Sequence, residues 1–180
     1  CFGLVLASAR ARMVVVHDCD ILTYNREMLA RLCYPVAHAN LGFDFCKGYS
    51  ARFTDRLHGR VMRLLFTPLI RSLQGIIGHH PFLTYLDTFR YPLSGEISLS
   101  QDVIRRTRMP SDWGVEVGML AEVYRVSPTK SICQVDMIDC YDHRHQDLSP
   151  RDAARGLNKM AMDIVKCVFR SLAGLGVKLD

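Results

Sequence analysis

The stretch Val14-Val15-Val16-His17-Asp18-Cys19-Asp20-Ile21 combines three β-branched residues with two carboxylates that are one residue apart. Three consecutive valines predict a short buried strand, which stops abruptly at the acidic residues. Two carboxylates at the end of a buried strand are costly to place without a cation or a cluster of donors. One aspartate capping a helix, with the other solvated, explains the pattern equally well. Alone, the stretch leaves a cation site and a helix cap open.

Composition and charge restrict the class of protein. The 180 residues suffice for one well-formed core, and 49% hydrophobic with 23% charged residues is ordinary for a globular domain. No apolar run approaches the roughly 18 residues of a membrane span. The net charge is +5, but the basic residues are scattered and form no dense block. This argues against nucleic acid as a partner and favours phosphorylated small ligands.

The seven cysteines form no Cys-x-x-Cys pair and sit in apolar contexts. Reduced cysteines of this kind predict a cytoplasmic protein and argue against a structural zinc site. The first residue is Cys1, and residues 1–9 resemble the end of a helix that leads into the valine strand. We therefore expect a fragment whose amino-terminal part is missing.

Strands are expected to alternate with helices, which predicts an α/β domain. The expected strands cover residues 14–16, 43–49, 93–100 and 131–138. Five helices are expected. The first follows a cap at Thr23 or Asn25 and ends at Pro35, and the second starts near Arg60 with a kink at Pro68. The third runs from Ser100 to about Pro110, the fourth runs from Trp113 to about Tyr124, and the last begins at Ser149.

A second candidate metal-binding segment is His143-Arg144-His145-Gln146, which is expected in a loop after a strand. Two histidines beside an arginine suit contact with a metal or a phosphate. A pair of solvated loop histidines is the alternative. Together with Asp18 and Asp20, the histidines predict a site with aspartate and histidine ligands for Mg²⁺ or Mn²⁺. The cation in this site would bridge two phosphates.

Glycines beside charged residues mark candidate ligand sites. Gly59-Arg60 at the start of a helix would form an anion site, although a surface arginine after a turn glycine fits as well. Two further segments each place a glutamate near a glycine: Ser94-Gly95-Glu96 and Trp113-Gly114-Val115-Glu116. The glutamate could accept hydrogen bonds from the hydroxyls of a sugar. A tight turn and, for Glu116, a negative charge in the first helical turn is the explanation that each segment favours when taken alone. Lys47 could reach a phosphate or lie on the surface, and a lone tryptophan is more often core than a sugar platform.

Taken in order, these segments resemble the glucosyl-3-phosphoglycerate synthases and their mannosyl-transferring relatives, which are retaining glycosyltransferases of the GT-A fold. The resemblance covers residues from about 14 to 146. The matching segments are Asp18-Cys19-Asp20, Lys47-Gly48-Tyr49, Gly59-Arg60-Val61 with Thr67-Pro68-Leu69, Pro92-Leu93-Ser94-Gly95-Glu96, Trp113-Gly114-Val115-Glu116-Val117, Gln134-Val135-Asp136 and His143-Arg144-His145-Gln146.

The resemblance implies an Asp-x-Asp motif in a Rossmann-like domain covering residues 1–180, without the first strands that hold the nucleotide base. It implies that Mg²⁺ or Mn²⁺ is the cofactor, that UDP-glucose, GDP-glucose or GDP-mannose is the donor and that 3-phosphoglycerate is the acceptor. A homodimer is one expected assembly. The product would be an intermediate on the way to a compatible solute.

The resemblance also implies roles for individual residues. The metal would be bound by Asp20 and His143, with His145 beside them. Asp18 would contact the nucleotide-sugar, and Glu116 would hold the donor sugar in the catalytic site. The remaining residues implied in binding substrate or cofactor are Lys47, Gly59, Arg60, Ser94, Gly95, Glu96, Trp113, Gly114 and Arg144.

One residue departs from the family pattern. The family usually has a threonine two residues after the phosphate-binding arginine, where this chain has Met62, which cannot donate a hydrogen bond. Two alternatives therefore stay open. One is a glycosyltransferase of the same fold that uses a mannosyl donor, or a polyprenyl-phosphate or polysaccharide acceptor. The other is a truncated binding module without catalytic activity.

Overall fold

The computed structural model describes residues 2–8, 10–51, 58–138, 142 and 156–178. The chain divides into two compact units. The first contains residues 1–57, 94–107 and 123–143, and the second contains residues 58–93, 108–122 and 144–180. The predicted His143–His145 loop and the predicted helix start at Ser149 lie outside the described residues. The single domain over residues 1–180 stays a prediction.

A four-stranded mixed sheet forms the centre of the first unit. Its strands are β1 (Met13–Val16), β2 (Phe45–Tyr49), β3 (Ile97–Ser100) and β4 (Ile132–Asp136), in the order β1-β3-β2-β4. β3 is antiparallel to both of its neighbours, whereas β2 and β4 are parallel. β1, β2 and β4 therefore point the same way, and their carboxyl ends lie at one edge of the sheet. All four predicted strands are present. β1 is one residue longer than predicted, and the other three are shorter than predicted.

Three described helices belong to the first unit: α1 (Phe2–Ser8), α2 (Arg26–Ala37) and α5 (Gln101–Arg106). Asn25 caps α2 and accepts a hydrogen bond from the N–H of Met28 at 3.0 Å, as predicted. The predicted end at Pro35 was wrong, since the helix continues to Ala37. A proline in the last turn removes one hydrogen bond but leaves the rest of the turn intact.

The apolar face of α2 packs on the sheet and forms the core of this unit. Met28 and Leu32 on α2 are buried against Cys46 of β2 and Met137 after β4. Ser98 of β3 is also buried, and its Oγ donates to the carbonyl of Leu32 at 2.6 Å. The helix is thereby fixed to the middle of the sheet by packing and by one buried hydrogen bond.

The second unit is helical in the described residues. A π-helical turn, Met62–Phe66, leads directly into α3 (Thr67–Ile77), and α3 packs on α4 (Pro81–Asp87). In the π turn, the N–H of Thr67 donates to the carbonyl of Met62, five residues back. Pro68, where a kink was predicted, lies in the first turn of α3 directly after the π turn.

Two more helices complete the described part of the chain. α6 (Val115–Val126) begins in the second unit and ends in the first, and α7 (Gly156–Gly174) belongs to the second. The buried apolar side chains of the second unit include Phe66, Ile70, Leu83, Leu86, Leu120, Ile164 and Val168. None of the described helices is both long enough and apolar enough to cross a membrane.

Candidate functional site

The candidate site of the first unit lies where strand ends meet at the edge of the sheet. β1 ends at Val16, which pairs with Ile97 at the start of β3. Ile97 also pairs with Lys47 near the end of β2. Because β3 runs opposite to both neighbours, the residues that follow β1 lie beside the residues that precede β3. This register explains why segments some 80 residues apart in sequence meet here.

Asp18 lies directly against the loop that precedes β3. Its backbone N–H donates to Oε1 of Glu96 at 3.4 Å. A Cβ at Gly95 would lie 2.6 Å from Cγ of Asp18 and closer still to Oδ1, so a side chain at this position would displace the carboxylate. Asp18 and Gly95, both predicted as site residues, are therefore in contact, and glycine is needed for that contact.

A buried polar cluster lies next to this contact. Lys47, Ser94 and Glu96 are each only 1% exposed. The Nζ of Lys47 donates to the carbonyl of Ser94, and the Ser94 hydroxyl donates to Oε2 of Glu96 at 2.5 Å. The N–H of Glu96 donates back to Ser94 Oγ at 3.1 Å. The surface position considered for Lys47 is thus excluded in this structure.

The segment after Asp20 is joined to the residue that precedes His143. The N–H of Leu22 donates to the carbonyl of Asp142 at 2.8 Å, and the N–H of Asp142 donates to Oγ1 of Thr23 at 3.1 Å. Asp20 is half-buried. Two hydrogen bonds therefore connect Leu22 and Thr23, which follow the Asp-x-Asp segment, with the backbone at Asp142.

His17, which the sequence did not single out, belongs to the same edge of the sheet. Its ring packs edge-on against Tyr24, with centroids 5.3 Å apart, and neither ring nitrogen has a hydrogen-bond partner among the described residues. Burial lowers the pKa of His17 below 6.5, and the negative charge of Glu96 opposes that shift. In the sequence, only its position next to Asp18 suggested that His17 belongs to the site, because a single histidine after a strand is not a motif for any particular function.

Gly59 and Arg60, the predicted anion site, lie in the second unit. Gly59 has φ +78°, and a Cβ there would lie 3.1 Å from the hydroxyl oxygen of Tyr91. Its carbonyl accepts from the N–H of Arg63 at 3.1 Å, and Arg60 is exposed in the first helical turn. Glycine is therefore required by the backbone conformation and by the close approach of Tyr91.

The predicted sugar-binding turn, Trp113-Gly114-Val115-Glu116, also lies in the second unit, held against α7. A Cβ at Gly114 would lie 2.8 Å from Cβ of Cys167. The N–H of Trp113 donates to Oδ2 of Asp163 at 3.4 Å. Trp113 is 40% exposed, which excludes a core role in this structure, and Glu116 is half-buried.

Asp163 of α7 is a residue that the sequence did not reveal. It is 4% exposed and accepts from the Nζ of Lys159 at 2.7 Å. That hydrogen bond, with smaller contributions from Trp113 and Lys166, lowers the pKa of Asp163 below 3.8. In sequence Asp163 shows only an i, i+4 pairing with Lys159, which is common on exposed helix faces.

The structure brings some predicted residues together and leaves others in separate units. Asp18, Lys47, Ser94, Gly95 and Glu96 form one contact set in the first unit. The Gly59–Arg60 and Trp113–Glu116 segments belong to the second. Within the described residues, no three or more His, Cys, Asp and Glu side chains are grouped as a metal site, and the predicted ligands His143 and His145 lie outside that part of the chain.

Comparison with known proteins adds the family. No family model matches the chain. It is 50% identical over 171 residues, 95% of its length, to a glucosyl-3-phosphoglycerate synthase of Persephonella marina. It is 42% identical over 168 residues to the glucosyl-3-phosphoglycerate synthase of Methanococcoides burtonii. The predicted resemblance is confirmed. The chain spans 42% and 41% of the lengths of these two glucosyl-3-phosphoglycerate synthases.

Solved structures confirm the predicted α/β, GT-A class of fold. A mannosyl-3-phosphoglycerate synthase from Rubrobacter xylanophilus matches with a TM-score of 0.77 at 24% identity, over 97% of this chain and 50% of that one. A glucosyl-3-phosphoglycerate synthase from Mycobacterium tuberculosis, in complex with Mn²⁺, UDP-glucose and phosphoglyceric acid, matches with a TM-score of 0.73 at 22% identity. That match covers 98% of this chain and 54% of the solved chain.

Proposed function

We propose that the protein is a retaining glucosyltransferase. It moves glucose from a nucleoside diphosphate sugar to the 2-hydroxyl of 3-phosphoglycerate and yields glucosyl-3-phosphoglycerate, a precursor of a compatible solute. The observation that carries the proposal is the 50% identity to a glucosyl-3-phosphoglycerate synthase over 95% of this chain. Because the chain spans less than half of that relative, the activity of the whole protein is part of the proposal.

The residues at the sheet edge fit a divalent cation. Asp18 and Asp20 offer oxygen ligands of the kind that Mg²⁺ and Mn²⁺ prefer, and imidazole also suits Mn²⁺. The hydrogen bonds of Asp142 with Leu22 and Thr23 bring the residue before His143 to the Asp-x-Asp segment. We assign Asp20 and His143 as ligands, with His145 nearby. When bound, the cation neutralises charge on the departing diphosphate.

The chain's own residues would bind the two substrates and orient them. The Arg60 guanidinium and the backbone at Gly59 would hold the acceptor phosphate, with the helix start adding donors. Trp113, Gly114 and Glu116 would hold the hydroxyls of the donor sugar, and Arg144 would contact a phosphate. UDP-glucose is the donor present in the Mycobacterium tuberculosis complex and is the first donor to test.

In this scheme the protein acts mainly by positioning. Asp18 would contact the nucleotide-sugar, and Glu116 would fix the orientation of the sugar ring. Transfer with retention would place the acceptor hydroxyl and the leaving phosphate on the same face of the sugar. Holding the two substrates in that geometry avoids the entropic cost of bringing them together, and fixed donors stabilise the charge that develops.

The test is a transfer assay on the intact protein. We expect conversion of UDP-glucose and 3-phosphoglycerate in the presence of Mg²⁺ or Mn²⁺, loss of activity with a chelator, and an α-linked product by NMR. Asp20→Ala should abolish this activity. Asp102→Ala is the matched control, because it removes an exposed carboxylate from a helix in the same unit. Full activity of Asp20→Ala would refute the metal assignment.

Two other hypotheses are separated by the same assay. A GDP-mannose or GDP-glucose donor, or a polyprenyl-phosphate acceptor, would show as preferred turnover in a matrix of donors and acceptors. Met62, which replaces the threonine usual in the family, is the reason for testing other acceptors. A binding module would fold and bind ligand but catalyse no transfer with any pair. A homodimer, to be checked by light scattering, and a cytoplasmic location are further parts of the proposal.

A further inference from the structure

Three polar side chains are buried immediately behind Asp18. Lys47, Ser94 and Glu96 are each 1% exposed, and they come from the end of β2 and from the loop before β3. Buried lysine and glutamate are rare in folded proteins unless they are paired or hydrogen-bonded. Their burial within the structure therefore requires an explanation in terms of the groups that they contact.

The hydrogen bonds form a chain that connects Lys47 with Asp18. The Lys47 ammonium holds the carbonyl of Ser94, the Ser94 hydroxyl holds one oxygen of the Glu96 carboxylate, and the other oxygen accepts the N–H of Asp18. Each group uses one contact to fix the next. The final contact fixes the backbone of the residue that begins the Asp-x-Asp segment.

Close backbone packing reinforces these hydrogen bonds. A Cβ at Gly48 would lie 2.9 Å from Cβ of Glu96, so the end of β2 lies tightly against the loop. The N–H of Gly48 donates to the carbonyl of Glu96 at 2.8 Å. On the other side of the loop, Gly95 leaves no space between its Cα and the Asp18 carboxylate. The loop is thus held between β2 and Asp18.

We propose that Lys47, Ser94 and Glu96 are positioning residues that fix the backbone of Asp18, in place of the direct substrate contacts predicted for them. This deepens the proposed function and rests on it. Hydrogen bonds join the Ser94 hydroxyl to the Glu96 carboxylate and that carboxylate to the Asp18 N–H. Orientation of groups around a metal by buried hydrogen-bonded partners is a recurrent feature of metal sites.

The first test compares two buried serines in the intact protein. Ser94→Ala should weaken binding of UDP with Mn²⁺, measured by calorimetry, by about 10–100-fold, the range found when an outer partner of a metal site is removed. Ser98→Ala is the matched control, because it removes an equally buried hydroxyl that donates to Leu32 instead. We expect wild-type affinity for this control. Equal losses in both variants would overturn the proposal.

The second test uses a conservative variant at Glu96. Glutamine can accept from the Asp18 N–H with Oε1 and donate to Ser94 Oγ with Nε2, since a hydroxyl has two acceptor lone pairs. Glu96→Gln should therefore keep affinity for UDP with Mn²⁺ within about 3-fold of wild type, whereas Glu96→Ala should lose it as Ser94→Ala does. If Glu96→Gln is as defective as Glu96→Ala, its charge acts directly and the positioning role is refuted.

The third test addresses Lys47 through its salt dependence. A lysine that contacts the diphosphate directly loses much of its contribution at high salt, whereas a buried positioning lysine does not. The ratio of the Lys47→Met and wild-type dissociation constants should thus be the same at low and high salt. A ratio that shrinks as salt rises would show direct phosphate contact and overturn the assignment of Lys47.

A fourth measurement separates failure of this inference from failure of the proposed function. In metal-free protein, Gly95→Ala should lower the unfolding midpoint, and the loss should largely disappear in an Asp18→Ala background because the clash is then gone. Additive losses would refute the Gly95–Asp18 contact. If wild type fails to bind UDP with Mn²⁺, the proposed function is refuted, while this cycle still decides whether the loop is held on Asp18.

Discussion

Asp163 of α7 accepts a hydrogen bond from the backbone N–H of Trp113, fifty residues earlier in the chain. The same carboxylate is paired with Lys159 at 2.7 Å and is almost fully buried. One side chain on the last described helix therefore fixes the start of the turn that carries Glu116.

Removal of Asp163 should reduce catalysis without removing a substrate contact. We expect Asp163→Ala to lower kcat/KM by about 10–100-fold through misplacement of the Trp113–Glu116 turn, because errors of about 1 Å can cost that much. Steady-state kinetics with varied UDP-glucose would measure it. Asp87→Ala is the control, since Asp87 is also on a helix of the second unit but forms an exposed ion pair with Arg71. Equal effects of both variants would contradict the role of Asp163.

The same carboxylate predicts a dependence of stability on pH. The pKa of Asp163 is lowered below 3.8 by Lys159, so its ionised form stabilises the folded state. That contribution is present above pH 3.8 and is lost as the pH falls through the lowered pKa. Urea unfolding of wild type and Asp163→Asn should differ at pH 5–6 and converge in acid. The charged groups that act on Asp163, Lys159 and Lys166, are unchanged in this comparison.

Gly59 allows a comparison of two glycines that have the same positive φ. Gly59 and Gly78 both have φ +78°, but only Gly59 meets a neighbour, Tyr91. Alanine at either position should cost about 1–3 kcal/mol of unfolding free energy, because residues with a side chain rarely adopt such a positive φ. Gly59→Ala should cost more and also raise the KM for 3-phosphoglycerate. A raised KM in Gly78→Ala as well would show that the effect is not specific to the anion site.

Arg60 should act on the acceptor alone. We expect Arg60→Ala to raise the KM for 3-phosphoglycerate by about 10–100-fold, the equivalent of one charge-assisted contact, with little change in the KM for the donor. Arg71→Ala removes an arginine from α3 with an exposed ion pair to Asp87, which contributes little. An unchanged acceptor KM in Arg60→Ala would place the acceptor phosphate elsewhere.

The cysteines should differ sharply in reactivity. Cys19, between Asp18 and Asp20, is exposed, whereas Cys46 is buried opposite Cys133 in the β2–β4 register. The hydrogen bond with Cys133 and burial raise the pKa of Cys46, so little thiolate forms there. Iodoacetamide should alkylate Cys19 before Cys46, as read by peptide mass spectrometry. UDP with Mn²⁺ should slow that labelling if the Asp-x-Asp segment binds them.

Local sequence signals predicted the elements of the fold and many of the residues that meet. The valine strand and the Asn25 cap depend on neighbouring residues only, and both are present, with Asn25 one of the two predicted caps. The predicted burial of the strand was wrong, because β1 is an edge strand of the described sheet and is only half-buried. The placement of β3 between β1 and β2 could not be predicted, because strand order depends on pairing between distant segments. Proline at position 35 misled because its local effect on one hydrogen bond was weaker than the packing of α2 on the sheet.

Burial was the second quantity that the sequence could not supply. Lys47 follows Cys46 in an alternating strand, and its charge suggested exposure or a ligand contact. In the structure it is buried because the Ser94 carbonyl lies within reach of its ammonium group. Asp163 was missed for the same reason, since a partner fifty residues away leaves no local pattern.

The π-helical turn at Met62–Phe66 lies between Arg60 and α3, so the direction of the Arg60 side chain can change without a change in the packing of α3. Relative to an α-helix, such a turn contains one additional residue, which corresponds to a rotation of about 100° around the helix axis. Deleting a single residue from this turn would restore regular winding and turn Arg60 toward a different direction, while Ile70 and Leu73 could stay in the core. Insertions and deletions at this point therefore give evolution a way to redirect the side chain proposed to bind phosphate without redesigning the helix that supports it.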